Sequence, residues 1–376
     1  MDTLCYNSFM KILYVCTTTD RGGAETALYR LAVAAKQEGH EVKIISLKPL
    51  GAMATQFEQA GFPVVSFDLQ GKYRPLQTAG ALARLIKEIE QFRPDIVHAF
   101  LYRAIQLCRL ARRKTPFILI TSPHYNPAKL SFWKRLIDRG LKTEDTISTA
   151  ESRSTEQYLI HKQKYPSAQV RLITNGIDAT VFAPNPAERK KYRQQYGFSD
   201  KEVVFCSVAR LSKEKNHLLL LQSFAAVHAK NPQTRLMLIG DGPEKTVLEA
   251  FLEEKGLKQV VLFGGDVKDV KPFLWAADIF VLPSKVESLP FALLEASLCA
   301  LPAIVSKVGD LPQVVAHGET GFVFNGQDPI LLSVLMAELI ENKALRQKMG
   351  ENSRTRTINK YPQSEKTYLK LYKEVK

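Results

Sequence analysis

Short apolar runs alternate with longer amphipathic segments along most of the chain. The runs are KILYVC, EVKIIS, PVVSF, DIVHAF, PFILI, DTISTA and VRLIT in the first half, then EVVFCSVA, RLMLIG, VVLFGG, DIFVLPS and PAIVS in the second. A buried strand followed by a helix with one apolar face, repeated in this way, is typical of parallel sheets covered by helices on both sides. The pattern therefore predicts an α/β protein with doubly wound parallel sheets.

The alternation pauses once, around residues 175–190. Asn175-Gly176 predicts a turn there, and Pro184 and Pro186 mark a linker. We therefore expect two Rossmann-like domains, one over residues 1–180 and one over 181–360, with a helix at about 360–376 that packs back on the first. Such sheets bind ligands at the carboxyl ends of their strands, so we expect both sets of loops to face a central cleft.

The chain of 376 residues carries a net charge of +14, and the excess lies in its first half. Between Lys72 and Lys142 there are fifteen Lys or Arg against four Asp or Glu. A basic surface indicates an anionic partner, either a nucleic acid, a membrane surface or a phosphorylated substrate, unless it is merely a solvated face. No basic segment is interleaved with aromatic residues, so we expect no nucleic-acid partner.

The first residues, the lengths of the apolar runs and the cysteines indicate where in the cell the protein is expected to lie. The first residues lack a basic segment before an apolar one, and no run of about 18 apolar residues occurs, so we expect neither a signal peptide nor a membrane span. The five cysteines are far apart and form no CxxC, as expected for core residues in a reducing compartment. We expect a cytoplasmic protein that can lie peripherally on the inner face of the plasma membrane.

Arg210 and Lys215 lie between an apolar strand-like run and a leucine-rich helical run, where cations are useful if an anion binds. Glu287 and Glu295 form an E-x7-E pattern, the first in a loop and the second in the next helix, with α-carbons at most ~12 Å apart. Gly-Gly at 22–23 precedes another helix, where backbone can approach a phosphate. Hydroxyl acceptors at both ends, with cations and helix N–H groups between them, suit a nucleoside diphosphate joined to a sugar.

The chain contains GGAE, NGID, ARLSKEKN, IGDGPE, the E-x7-E pattern and VSKVGDLPQVVAHGETGFVF. Together these motifs resemble those of the retaining glycosyltransferases with the GT-B fold, the large bacterial "glycosyl transferases group 1" family, over nearly the whole chain. The resemblance implies transfer of a sugar from a nucleoside-diphosphate sugar, with UDP favoured, to a glycan or lipid-linked acceptor in envelope polysaccharide or glycolipid synthesis. No DxD pair is present to hold a metal, so we expect neither metal nor cofactor, and the cations would compensate the diphosphate alone.

The resemblance also implies a role for each site residue. Arg210 and Lys215 would clamp the leaving diphosphate, and Glu287, the third candidate catalytic residue, would hold the transferred sugar. Glu295 would hold the ribose hydroxyls. The remaining donor contacts would come from backbone: Gly22 and Gly23 at the phosphates, Ser288, Leu289, Pro290 and Phe291 at the sugar, and Val267 at the base.

The chain departs from the family pattern at three places. Phe100 stands where many relatives have a second histidine after His98, Ser288 replaces a frequent glycine, and Gly309-Asp310 replaces a frequent Gly-Gly. His98 and Arg103 are candidates for the acceptor side, although His98 can equally be packed inward. Two other functions stay open: a non-catalytic partner protein that binds nucleotide sugars, and a nucleotide-sugar epimerase.

The segment NPAKLSFWKRLIDRGLK at 126–142 predicts an amphipathic helix. One interpretation is a helix that docks on an anionic membrane, and the other is a helix that packs its apolar face on the first sheet. The predicted apolar face comprises Leu130, Trp133, Ile137 and Leu141, and the cations around it are Lys129, Lys134, Arg135, Arg139 and Lys142, with Arg109, Arg112, Arg113 and Lys114 upstream.

Overall fold

The computed structural model describes residues 9–71, 75–124 and 130–376 of the chain. The chain divides into two compact units. The first unit comprises the residues up to Asn175 together with Gln363–Lys376, and the second comprises Gly176–Pro362. The chain therefore leaves the first unit once and returns to it for its last residues.

The first unit is built on a seven-stranded sheet with the order β3-β2-β1-β4-β5-β6-β7, and every pairing between neighbouring strands is parallel. The strands are β1 (Lys11–Cys16), β2 (Glu41–Ser46), β3 (Val64–Ser66), β4 (Ile96–Phe100), β5 (Ile118–Ser122), β6 (Ile147–Ala150) and β7 (Val170–Leu172). The helices are α1 (Gly23–Gln37), α2 (Ala54–Gln59), α3 (Pro75–Phe92), α4 (Tyr102–Arg112), α5 (Phe132–Leu141), α6 (Arg153–Gln157) and, from the end of the chain, α15 (Glu365–Val375).

Both faces of this sheet are covered, which explains why its strands are apolar runs and not alternating patterns. Along β1, Ile12 and Tyr14 enter a core that includes residues of α1, α2 and α15. The intervening Leu13 and Val15 enter a separate core with α3 and α4.

The second unit has a six-stranded sheet with the order β10-β9-β8-β11-β12-β13, and its strands are again parallel. The strands are β8 (Val203–Val208), β9 (Thr234–Ile239), β10 (Val261–Gly265), β11 (Ile279–Leu282), β12 (Ala303–Ser306) and β13 (Gly321–Phe324). The helices are α7 (Pro186–Gln195), α8 (His217–Lys230), α9 (Lys245–Glu254), α10 (Lys271–Ala276), α11 (Phe291–Leu298), α12 (Leu311–Val314), α13 (Pro329–Glu341) and α14 (Lys343–Lys360). The predicted doubly wound parallel sheets are confirmed.

In each sheet the strand order reverses at one position, between β1 and β4 in the first and between β8 and β11 in the second. The loops that follow the two central strands run to opposite sides at such a point and leave a crevice at the carboxyl ends. The loops after β1 and β4, and those after β8 and β11, are therefore where each unit is shaped to hold a ligand.

The last helix, α15, is anchored in the first unit by aromatic hydroxyls. Tyr372 and His98 Nδ1 are 2.6 Å apart, and the Tyr368 hydroxyl lies 3.2 Å from Thr149 Oγ1. All four side chains are buried. The hydrogen bonds satisfy polar groups inside the sheet's core and fix the register of α15 upon it.

A buried ion cluster holds α4, α5 and the start of β6 together. Arg109 is fully buried and forms ion pairs of 2.6 Å with both Asp138 and Asp145. The interpretation of Arg109 as a surface cation is therefore wrong, because two buried carboxylates need its charge. Arg112 and Arg113 are engaged as well, donating to the Glu144 carbonyl and, at 2.8 Å, to its carboxylate.

Replacing Arg109 with Ala should destabilise the first unit by about 3–5 kcal/mol, since two buried carboxylates would lose their compensating charge. Arg113→Ala is the matched control: it removes an exposed ion pair and should cost less than about 1 kcal/mol. Urea unfolding, followed by circular dichroism, measures both. Similar losses for the two variants would contradict the assignment of the cluster as a buried network.

Candidate functional site

The loop between β8 and α8 carries the two predicted cations. Arg210 is exposed, and its guanidinium makes no hydrogen bond or ion pair with any residue that the structure describes. Lys215 is half-buried, and its ammonium donates to Glu287 Oε1 at 2.6 Å. One cation is therefore available for an anion, while the other is held by a carboxylate.

The neighbouring loop, IGDGPE, fixes the shape of the cationic loop. A Cβ on Gly240, whose φ is +135°, would lie 2.1 Å from the Ala209 carbonyl oxygen, and one on Gly242 would lie 2.4 Å from that of Leu211. The Leu211 N–H donates to the Asp241 carbonyl at 3.0 Å. These glycines let the two backbones touch, and that contact sets the position of Arg210.

Glu287 follows β11, on the other side of the strand-order reversal from Arg210. Its Oε1 accepts hydrogen bonds from both Lys215 and the Ser284 hydroxyl, the latter at 2.8 Å, and its side chain is buried. A buried carboxylate with a cation and a hydroxyl on one oxygen is fixed in orientation. The structure thus brings two of the predicted catalytic residues, Lys215 and Glu287, into direct contact.

The backbone of this acidic loop rests on the residues after β12. Gly309 has a φ of +52°, and a Cβ there would lie 2.2 Å from the Glu287 carbonyl oxygen. The buried Asp310 donates its N–H to the Ser288 carbonyl at 3.0 Å. The pair Gly309-Asp310 therefore keeps a glycine at the position where the two backbones approach closely. Asp310, which replaces the second glycine of the family pattern, holds the loop through a backbone hydrogen bond.

Helix α11 begins at Phe291, and Pro290 occupies its N-cap position without a capping side chain. Ser288 and Leu289 complete the loop that leads into the helix, and Glu295 is buried within it. Glu287 therefore lies in the loop and Glu295 in the helix that follows it, as the sequence predicted.

Glu295 lies near Cys299, as does Asp269 of the loop that contains Val267. Burial raises the pKa of the Cys299 thiol to about 12, and the negative charge of Glu295 is the next largest cause of this rise. The charges of Lys271 and Asp269 also act on this thiol. Val267 is half-buried in the loop between β10 and α10, which starts at Lys271. The predicted ribose and base contacts thus lie on the same part of the second unit.

In the first unit, Gly22 is the N-cap of α1 and Gly23 its first residue, with no side chain capping the helix. A Cβ on Gly22 would lie 2.6 Å from Glu25 Oε2, so the Glu25 side chain folds back over the helix start. Burial raises the pKa of Glu25 to about 7. Near neutral pH this carboxyl is partly protonated, which lowers the negative charge beside the glycines.

The two acceptor-side candidates differ in accessibility. His98 lies inside β4 with no exposed surface, and its Nε2 is 2.7 Å from Ser122 Oγ while Nδ1 meets Tyr372. This is the inward-packed alternative, since both ring nitrogens have partners. Arg103 lies in the first turn of α4, where it donates to the Gly71 carbonyl at 2.8 Å. It therefore stands at the carboxyl edge of the sheet, next to the strand-order reversal.

His124, two residues after the end of β5, was missed from the sequence. Its ring stacks on Phe100 at 5.5 Å, and burial lowers its pKa to about 4. Its Nε2 is buried and has no hydrogen-bond partner among the residues described. The signal was a histidine close behind the apolar run PFILI, which forms the strand next to that of Phe100.

Two further properties concern the residues that the structure describes. They contain no group of three or more His, Cys, Asp or Glu side chains that could hold a metal ion. None of the helices among them is both long and apolar enough to cross a membrane.

Profiles of two protein families match the chain, one in each unit. The profile described as "Glycosyltransferase Family 4" matches residues 21–181, and that described as "Glycosyl transferases group 1" matches residues 188–356. The second match covers the strand-order reversal between β8 and β11, whereas the first begins after the end of β1.

Among curated proteins, the chain is similar to N-acetyl-alpha-D-glucosaminyl L-malate synthase of Bacillus anthracis, with 29% identity over 58% of this chain and 56% of the relative. It is also 29% identical to a GDP-mannose-dependent phosphatidylinositol monomannoside mannosyltransferase of Mycolicibacterium smegmatis, over 49% of this chain and 50% of the relative. The matched part is thus about half the length of these relatives.

A solved structure, HepE of Anabaena in complex with UDP-glucose, superposes with a TM-score of 0.84 at 23% identity, covering 97% of this chain and 98% of that one. At this identity the likeness shows the fold, which is that of the predicted GT-B class. With two parallel sheets, a family match in each unit and the E-x7-E loop in place, the chain belongs to the group 1 glycosyltransferases of the GT-B fold.

Proposed function

We propose that this protein is a retaining, metal-independent glycosyltransferase that moves a sugar from a UDP-sugar to a glycan or lipid-linked acceptor in envelope polysaccharide or glycolipid synthesis. The observation that carries the proposal is the pairing at the second strand-order reversal. There the exposed Arg210 follows β8, and the Lys215–Glu287 pair joins the loop after β8 to the loop after β11.

Breaking the bond between a sugar and a diphosphate develops negative charge on the leaving phosphate. A cation held in place before the reaction stabilises that charge more in the transition state than in the ground state. Arg210 is available for this role because it has no partner among the described side chains. Lys215 is positioned for it by Glu287 at 2.6 Å, so its ammonium needs little reorganisation.

Glu287 has a second task in this proposal. Lys215 and Ser284 share its Oε1, which leaves Oε2 to accept hydroxyl groups of the transferred sugar. Glu295 would accept the ribose hydroxyls, and the backbone near Val267 would meet the base. We infer that the leaving phosphate assists attack by the acceptor on the same face of the sugar, which retains the anomeric configuration.

The identities proposed for the base of the donor and for the acceptor are inferred from the relatives. One solved neighbour holds UDP-glucose, whereas one curated relative is named for GDP-mannose. We favour UDP and expect a binding panel of UDP-, GDP- and ADP-sugars to decide between the three bases.

For the acceptor, we propose a membrane-borne molecule reached from the cytoplasmic side, with an anionic membrane surface as a partner. In the first unit, Gly22 and Gly23 would approach the donor phosphates, and Arg103 the acceptor.

Arg210→Ala and Lys215→Ala should each lower kcat by about 10²-fold or more, the usual result of removing a fixed charge stabiliser. Lys213→Ala is the matched control, because Lys213 is exposed in the same loop and has no role in the proposal. Transfer rates measured by mass spectrometry report the effect. Turnover like that of Lys213→Ala in both variants would remove these cations from the mechanism.

Glu295→Gln should weaken binding of UDP about tenfold or more, since charge-assisted hydrogen bonds to the ribose are lost. Glu287→Gln should leave UDP binding unchanged or stronger, because it frees the Lys215 ammonium, while turnover falls. Calorimetry with UDP alone separates the two variants. An equal loss of UDP affinity in both would show that the carboxylates do not hold different ends of the donor.

EDTA should leave turnover largely intact, because the cations of the loop after β8 are proposed to compensate the diphosphate without a divalent ion. The rate is measured before and after dialysis against EDTA, with Mg²⁺ and Mn²⁺ added back. Loss of activity that either metal restores would contradict this part of the proposal.

A further inference from the structure

Helix α5 is attached to the first unit mainly through polar groups. Asp138 is the one buried residue of the helix, all of which is described. Its carboxylate accepts from Arg109 at 2.6 Å and from Gln106 at 2.9 Å. At the two ends, the Lys134 carbonyl accepts from the Tyr102 hydroxyl and Arg139 donates to the Lys162 carbonyl. The side of α5 that faces the unit is therefore polar.

The opposite side of α5 is apolar and exposed. Four large side chains lie on it: Phe132, Trp133, Leu136 and Ile137, with exposed fractions of 64%, 70%, 52% and 49%. Their spacing places them on one helical face, and the rings of Phe132 and Trp133 touch edge to face at 5.5 Å. The interpretation of α5 as a helix that buries its apolar face on the sheet is wrong. The predicted face is also corrected: Trp133 and Ile137 belong to it, while Leu130 and Leu141 are half-buried.

Cations border this apolar face. Lys134, Arg135 and Arg139 are exposed, and Lys142 follows directly. None of these four forms a salt bridge with a carboxylate of the described chain: Lys134 lies over the Tyr102 ring, and Arg139 and Lys142 donate to carbonyls. Their positive charge is therefore uncompensated. Lys129 of the predicted set lies outside the described residues.

The face also borders the candidate site of the first unit. Tyr102 is the first residue of α4, directly after the carboxyl end of β4, and its hydroxyl meets the first turn of α5. Arg103 is the next residue, and His124 follows the adjacent strand β5. If α5 binds to a surface, the molecules of that surface would therefore lie close to the carboxyl edge of the first sheet.

We propose that α5 docks on an anionic bilayer, with Phe132, Trp133, Leu136 and Ile137 inserted at the headgroup boundary and Lys134 and Arg135 on the lipid phosphates. This deepens the proposed function by naming the surface that would supply a membrane-borne acceptor, and it rests on that function only to this extent. An apolar helical face ringed with cations is the chemistry that such a boundary binds. A second copy fits less well, since a two-fold contact through α5 would bring its own uncompensated cations together.

The fluorescence emission of Trp133 measures whether this side chain inserts into the bilayer. The chain has two tryptophans, so Trp275→Phe leaves Trp133 as the single emitter. On phosphatidylcholine vesicles that contain phosphatidylglycerol, its emission should shift to the blue and be quenched by brominated acyl chains. The partition coefficient should fall as salt is raised, and about fivefold for each cation removed from α5.

Two double variants, each with a matched control, test which feature of α5 is responsible. Lys134→Glu with Arg135→Glu should lower partitioning at least tenfold, whereas Lys87→Glu with Lys370→Glu, an equal change of charge elsewhere on the first unit, should have a much smaller effect. Leu136→Ser with Ile137→Ser should abolish the blue shift. Ile330→Ser with Val334→Ser, on the exposed apolar face of α13, should not change it.

Several outcomes would overturn the proposal. They are the absence of a blue shift on any vesicle, equal partitioning to neutral and anionic vesicles, and a concentration-dependent shift without vesicles, which would favour a second copy as the occupant. UDP affinity, measured without vesicles, tests the proposed function separately, so failure of one proposal is distinguishable from failure of the other.

Discussion

The ion pair between Lys215 and Glu287 is the interaction on which the candidate site depends. It joins loops that start from neighbouring strands, β8 and β11, at the point where the strand order reverses. Because the pair is charge-assisted and Ser284 shares it, the carboxylate and the ammonium hold each other in place. Arg210 is positioned in a different way, by a backbone whose path depends on Gly240 and Gly242. The second unit thus combines one cation with a carboxylate partner and one without.

The first unit has a contrasting design. At its carboxyl edge two ionisable groups are shifted toward neutrality: burial raises the pKa of Glu25 and lowers that of His124. Its buried ion pairs lie elsewhere, in the cluster around Arg109 that holds α5. Because the polar side of α5 is used for attachment, its apolar side is left exposed. The same buried carboxylate, Asp138, therefore explains both how the helix is held and why its outer face is available.

Sequence periodicity predicted most of the fold, because strands covered on both faces are continuous apolar runs. All seven strands of the first sheet and five of the six in the second correspond to such runs. The exception, β13 (Gly321–Phe324), is a short segment that was recognised only within a family motif. The E-x7-E spacing and the cations after β8 predicted the contents of the second unit's site, but not that Lys215 and Glu287 touch. Long-range contacts could not be predicted: the burial of Arg109, the polar inner side of α5, and the stacking of His124 on Phe100 all depend on residues distant in sequence.

The central claim is that the loops after β8 and β11 bind a diphosphate through Arg210 and Lys215. The most direct test compares the affinities of UDP and UMP by calorimetry, in the unaltered protein and in Arg210→Ala. The account predicts that UDP binds about a hundredfold more tightly than UMP, as expected for additional charge-assisted contacts, and that most of this difference disappears in the variant. Equal affinities for UDP and UMP in the unaltered protein, or a difference that persists in Arg210→Ala, would contradict it.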